Sequence, residues 1–178
     1  MSHVLRTECV IVGDKAVGKT ALVQMFTSDG TTFPKSYNMT FGVELYQKQV
    51  NIPDITSVVE MLLYDSSGHK LYTDCLKRYW HAPQMVLAVF DVTSEESLVA
   101  VPRWVSLAAG GLPGVLFGNK TDLVGRRAVS PGAGEAAAEK LGLEYFEGSA
   151  VSVVGRRSAV EGVSHPRCPG PCRVGSVS

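Results

Sequence analysis

The sequence predicts an α/β domain whose six-stranded, mostly parallel sheet carries helices on both faces. Three observations lead there. Apolar runs of strand length recur along the chain, with helical patterns and turn residues between them. One run, Met85 to Phe90, is apolar without interruption, as a strand covered on both faces must be. The chain has 178 residues, 45% hydrophobic and 19% charged, which is enough for one sizeable core and too little for two ordinary domains.

The elements follow in order. Cys9-Val10-Ile11-Val12 reads as the first strand and runs into Gly13; a helix spans about Lys19 to Thr27, closed by Gly30. Val43 to Ile52 and Val58 to Tyr64 read as an antiparallel pair turning near Pro53-Asp54. Met85 to Phe90 ends at Asp91, and Thr93 with Glu96 forms a capping box opening the next helix. Pro102 falls inside that helix, where a proline removes a backbone hydrogen bond and should kink it at a cost of roughly 3 kcal/mol. Val115 to Phe117 is a fifth strand, Glu135 to Leu141 an alanine-rich helix and Leu143 to Phe146 a sixth strand.

Composition narrows the function. Formal charge is zero, so no basic field points to nucleic acid or a membrane surface. Cys9, Cys75, Cys168 and Cys172 show no paired metal-ligand spacing and suit a reducing, cytoplasmic setting; Cys168 and Cys172 alone are too few for a closed zinc site. No window approaches the roughly 18 apolar residues of a membrane span, and Cys172 lies too far from Ser178 for a prenylation signal, so no lipid anchor is expected.

Composition changes abruptly after Ala150. Residues 151–178 hold no Leu, Ile, Met, Phe, Tyr, Trp or Lys, and twelve of these 28 are Gly, Pro or Ser. Such a stretch cannot bury enough apolar area to offset its ordering entropy. The division is therefore a domain over 1–150 and a disordered tail over 151–178, a break of the kind that a splice or gene-model change of reading frame would leave.

The chemistry sits in the loops after the strands. Gly13-Asp14-Lys15-Ala16-Val17-Gly18-Lys19-Thr20 matches the P-loop pattern G-x-x-x-x-G-K-[ST], after a strand and before a helix as the mechanism needs. Its glycines let backbone N–H groups face phosphate oxygens, the helix N-terminus adds positive partial charge, Lys19 reaches the phosphates and the Thr20 hydroxyl suits Mg²⁺. Ala21 continues this nucleotide-binding stretch. Asp65, followed by Ser66-Ser67-Gly68, stands where a carboxylate holds Mg²⁺ through water. In Asn119-Lys120-Thr121-Asp122, the Asp122 carboxylate can accept two hydrogen bonds from guanine that adenine does not offer.

With these pieces in this order, the chain resembles the Ras superfamily of small GTPases, in its Rab-like branch, over roughly Glu8 to Ala150. Tyr37 to Val43 matches the first switch, Asp65 to Gly68 the second, and Glu147-Gly148-Ser149-Ala150 the last base motif. Within that branch it is most similar to the Rab-like GTPases of the intraflagellar transport B complex. Phe26-Thr27-Ser28-Asp29-Gly30, Asp91 to Ser97 and Leu112 to Leu116 carry that similarity. The resemblance implies a P-loop small GTPase fold, GTP or GDP with Mg²⁺, Thr40 on the metal and sensing the γ-phosphate, and the Gly68 N–H on the same phosphate. It implies Lys120 packed across the base and Ser149 and Ala150 closing over it, with the Ala150 N–H on the guanine carbonyl. It also implies a small β-sandwich partner subunit, membership of the transport complex, and a place in the cilium.

The resemblance also implies a long amphipathic helix packed on the sheet after Ser149-Ala150; residues 151–178 hold no such pattern, so the domain over 1–150 lacks a recognisable final helix, and one sheet face loses its cover and stability falls if the reading frame changes there. Two positions also depart from the family. His69 stands where most members have a glutamine that orients the attacking water, and Lys15 where glycine or serine is common. Both suggest slow hydrolysis. His69 is either a weak catalytic substitute or an exposed switch residue without a chemical task. The function is thus a slow GTP/GDP switch, or a nucleotide-holding structural subunit with little turnover. A P-loop kinase is a third reading, for which Asn119-Lys120-x-Asp122 would have no purpose.

Overall fold

The computed structural model describes residues 4–34, 36–51, 58–108 and 110–151. The turn expected near Pro53-Asp54 and the tail beyond Val151 lie outside the described residues. Six strands form one sheet: β1 (Val4–Val12), β2 (Val43–Asn51), β3 (Val58–Ser66), β4 (Met85–Asp91), β5 (Gly114–Asn119) and β6 (Glu144–Glu147), in the order β2-β3-β1-β4-β5-β6. Only β2 and β3 pair antiparallel; β1, β3, β4, β5 and β6 run the same way. The fold class read from the sequence holds.

Alternation along the central strands divides the core in two. Val10, Val12, Val86, Ala88, Phe90 and Leu116 face one way and pack with Leu76, Trp104 and Ala138. Those three belong to α2 (Thr73–Leu76), α4 (Val101–Leu107) and α5 (Pro131–Leu141). Cys9, Ile11, Val89, Val115 and Phe117 face the other way, where α1 (Lys19–Thr27) supplies Val23. Among the described residues α1 is the sole helix packed on that second face. Burial pushes the Cys9 thiol up to about 12, so it stays protonated and inert.

Three local differences from expectation have physical causes. β1 begins at Val4 rather than Cys9 because its register with β3, Val4 opposite Val58 through Ile11 opposite Asp65, continues past the buried part. The cap of α3 (Glu95–Val99) is Ser94, whose Oγ accepts from Ser97 N at 3.3 Å. Thr93 does not form the expected capping box: its hydroxyl turns back to Asp91, and its N–H, which Glu96 would accept in such a box, donates with the hydroxyl to Asp91 Oδ1 at 2.8 and 2.7 Å. α5 starts at Pro131, earlier than Glu135, because Ser130 caps it and proline suits a first helical position.

Pro102 is not in a helix interior. The chain breaks at Ala100 between α3 and α4, and Pro102 lies in the first turn of α4, where a backbone N–H would find no partner within its own helix. The full interior penalty therefore does not apply. Pro102→Ala is expected to change unfolding free energy by less than about 1 kcal/mol in urea titrations. A gain near 3 kcal/mol would mean that the proline strains one continuous helix.

Candidate functional site

The parallel strands end on one edge of the sheet, and open α/β sheets bind ligands in the crevice outside those ends. The loop after β1 is shaped by positive φ at Gly13 (142°), Ala16 (61°) and Gly18 (98°). A Cβ on Gly13 would sit 2.1 Å from the Val89 carbonyl oxygen, and one on Gly18 would sit 2.2 Å from Asn119 Nδ2. Neither clash could relax cheaply, so close approach as well as φ requires glycine here. α1 then begins with no side-chain cap and no acidic residue in its first turn. Its first N–H groups thus lack intrahelical partners, which makes the helix start an anion site.

Lys19, 6% exposed, donates from Nζ to the carbonyls of Gly13 (2.9 Å) and Asp14 (2.8 Å). Burial pushes its ammonium down to about 8, against the opposing pull of Asp65 and Asp14. A buried cation held by two carbonyls is poised for an anion that would favour its charged form.

Thr20, Thr40 and Asp65 come together. Thr20 Oγ1 donates to Asp65 Oδ2 at 2.6 Å and lies 2.9 Å from Thr40 Oγ1, and Thr40 Oγ1 reaches the same carboxylate oxygen at 3.4 Å. Asp65 is fully buried, and its Oδ1 has no hydrogen-bond partner. Burial raises its carboxyl above the usual range, with Thr20 and Lys19 opposing. An orphaned carboxylate oxygen beside two hydroxyls fits a hard divalent cation such as Mg²⁺, which takes one or two protein oxygens and completes its shell with phosphate and water. Among the described residues no group of three or more His, Cys, Asp or Glu could hold a metal. A cation here would therefore rely on this mixed oxygen set.

The second set of loops is tied to the first. Asn119, 1% exposed at the end of β5, donates from Nδ2 to the Val17 carbonyl (2.8 Å) and accepts from the Ala150 N–H (3.1 Å). Lys120 adopts φ 69°, and its Nζ donates to the Ala16 carbonyl (2.8 Å) and pairs with Asp91 at 2.6 Å. Burial alone would raise the Asp91 carboxyl, but the bonds from Lys120 and Thr93 hold it below the usual range. Ser149 is buried, and Asp122 is exposed beside this joint.

A cleft joins Lys15, Ala16, Gly18, Lys19 and Thr20 to Thr40, Gly68 and His69. A Cβ on Gly68 would lie 2.3 Å from the Asp14 carbonyl carbon and the Lys15 nitrogen, so the loop after β3 rests directly on the backbone of the loop after β1. His69 caps the short 3₁₀ turn Lys70–Tyr72, its Nδ1 accepting from Leu71 N at 3.3 Å. Asn119, Lys120 and Asp122 do not line this cleft; they stand beyond its Ala16–Gly18 wall.

Reading the motifs missed several supporting residues. Asp91 could have been found as a carboxylate at a strand's carboxyl end. Arg127 makes a two-pronged pair with Glu147 at 3.1 and 2.9 Å, and Tyr145 donates to the same carboxylate at 2.8 Å, so Glu147 fixes the approach to Gly148-Ser149-Ala150. Trp104 and Arg103 reach Asp14 from α4. No local pattern in the sequence marks these long-range partners.

The family model described as "Ras family" matches residues 8–164, a range that continues past Ala150. The chain is 46% identical over 150 residues to the intraflagellar transport protein 27 homolog of Homo sapiens, covering 82% of this chain and 81% of that protein. Intraflagellar transport protein 27 of Chlamydomonas reinhardtii is 42% identical over 130 residues, 69% of this chain and 64% of that one. Ras-related protein Rab-15 of Homo sapiens is 32% identical over 145 residues, covering 79% and 66%.

The Lys19 environment has a consequence for nucleotide-free protein. Its folded-state value, about 8, lies below the ordinary 10.5, so between them the unfolded chain binds the extra proton and stability must rise with pH. Melting temperature relative to a Lys19→Met variant should climb from about pH 8 to about pH 10. Parallel pH profiles for the two proteins would show that Lys19 is not buried as described.

Proposed function

This chain belongs to the Ras family, and on that premise we propose that it binds GTP and GDP with Mg²⁺ and acts as a slow switch in intraflagellar transport. The relatives named for that process supply the setting; the family resemblance extends it to the transport B complex, a small β-sandwich partner subunit and the cilium. The residues at the strand ends supply the chemistry.

In this reading the P-loop amides and Lys19 bind and orient the β and γ phosphates. Thr20, Thr40 and Asp65 would hold Mg²⁺, which would supply charge neutralisation for the bound phosphates. Asp122 accepts from guanine N–H groups, Lys120 lies against the base, and Ser149 and Ala150 close the far side. Thr40 and Gly68 sense the γ-phosphate, Thr40 through its hydroxyl and Gly68 through its N–H, so the two switches respond to whether that phosphate is there.

One observation carries the slowness. Because His69 Nδ1 accepts from Leu71 N at 3.3 Å, the ring's proton belongs on Nε2. The free edge of the imidazole is then a donor and offers no lone pair to an attacking water. Glutamine at this place would present a carbonyl oxygen. Lys15, exposed on the cleft wall, adds a long side chain where an arginine from an activating protein would have to enter.

Single-turnover hydrolysis of GTP separates a slow switch from a fast one. The parent is expected to turn over slowly and His69→Gln about tenfold faster, below the gain that full general-base assistance gives. A parent that hydrolyses GTP within seconds, with no gain in the variant, would show that His69 does the glutamine's work. No turnover in either protein would favour the nucleotide-holding structural subunit.

A further inference from the structure

Asp14 is a carboxylate inside a loop built for phosphate, where its charge would oppose the ligand unless it is turned away and paired. The structure does both. Trp104 Nε1 donates to Asp14 Oδ1 at 2.7 Å, and the Arg103 guanidinium reaches the same oxygen at 3.3 Å while lying 5.0 Å from the centre of the Trp104 ring. Trp104 is 1% exposed, and a buried indole N–H needs an acceptor. Asp14 is the acceptor it finds. On the main-chain side, the Asp14 carbonyl accepts from Lys19 Nζ at 2.8 Å, and the same peptide is the surface against which Gly68 packs.

One residue therefore touches the α4 indole, the phosphate lysine and the second-switch glycine. Asp14, between Gly13 and Lys15, is thereby tied to a helix whose Arg103 and Trp104 do not line the cleft. The geometry points to Trp104 as a positioning residue for nucleotide binding: through Asp14 it holds the loop amides and Lys19 in their binding arrangement, and its loss speeds nucleotide release. The inference rests on the guanine-nucleotide reading above and adds a residue outside every motif of that reading. Preorganisation of this kind acts on the bound lifetime, because a loop already ordered loses less entropy when the ligand arrives.

Release is timed by chasing a fluorescent GDP from the full chain with excess unlabelled GDP in Mg²⁺. Asp14→Ala and Trp104→Phe are each expected to speed it by about tenfold, the scale of one charge-assisted hydrogen bond. The double variant should be no faster than the faster single one, since both remove the same link. Asp14→Asn keeps an oxygen for the indole and should stay within about threefold of the parent, while Arg103→Ala, at a half-exposed pair, should change release less than Trp104→Phe does. By nitrogen-15 NMR, the Trp104 indole N–H resonance should shift in Asp14→Ala and hold in Asp14→Asn, with the Trp80 indole as reference. The Asp14 variants decide the matter even if Trp104→Phe does not fold. Lower melting temperatures with release at the parent's rate, or single effects that multiply in the double variant, would overturn the inference alone. A parent that binds no guanine nucleotide would overturn the functional reading and this inference with it.

Discussion

The Asn119 side chain joins the loops after β1, β5 and β6: its Nδ2 donates to Val17, its Oδ1 accepts from Ala150, and it is 1% exposed. Both ends of the amide are used, so no rotation keeps both bonds. Gly18 has no side chain at the spot where a Cβ would collide with this amide. The segments Gly13 to Thr20, Asn119 to Asp122 and Ser149-Ala150 are thus parts of one joint. Lys120, bridging Ala16 and Asp91, makes a second tie beside the first.

The arrangement is costly without its ligand. Ala16 and Lys120 hold positive φ without being glycine, Lys19 is buried with its charge disfavoured, and Asp65 is buried with one oxygen unpartnered. Each feature destabilises the folded chain by roughly 1–3 kcal/mol on general grounds. Ala16 and Lys19 line the cleft and Asp65 is bonded to its Thr20 and Thr40, so an anion and a divalent cation there would offset the two charge terms, while Lys120 stands beyond the cleft wall. Strain and unmet charge at the strand ends, with two well-packed cores behind, is the pattern expected of a site that stores its stability for the bound state.

Much of this was legible in the sequence because strand periodicity and loop motifs are local. β4 and β5 could be read from uninterrupted apolar runs, and Gly13 to Thr20 from the spacing its chemistry demands. What could not be read depends on who meets whom across the sheet. Thr93 looks like a cap until Asp91, the nearer and charged acceptor, claims it; Pro102 looks like a helix breaker until the break is seen at Ala100. Nothing in the residues around Trp104 marks that its indole is tied to Asp14, a bond between residues far apart in the chain. His69 was ambiguous between a task and none, and only the Leu71 contact determines which ring nitrogen carries the proton.

Calorimetric titration of the parent and of Asp122→Ala with GDP and with ATP, both in Mg²⁺, bears most directly on the joint as a guanine-selective site. The parent is expected to bind GDP and leave ATP more than about a thousandfold weaker, as a site built around paired hydrogen bonds discriminates. In Asp122→Ala that preference should collapse while the phosphate loop keeps some grip on both. Equal affinity of the parent for the two nucleotides, or a preference untouched by the substitution, would contradict a guanine-selective joint.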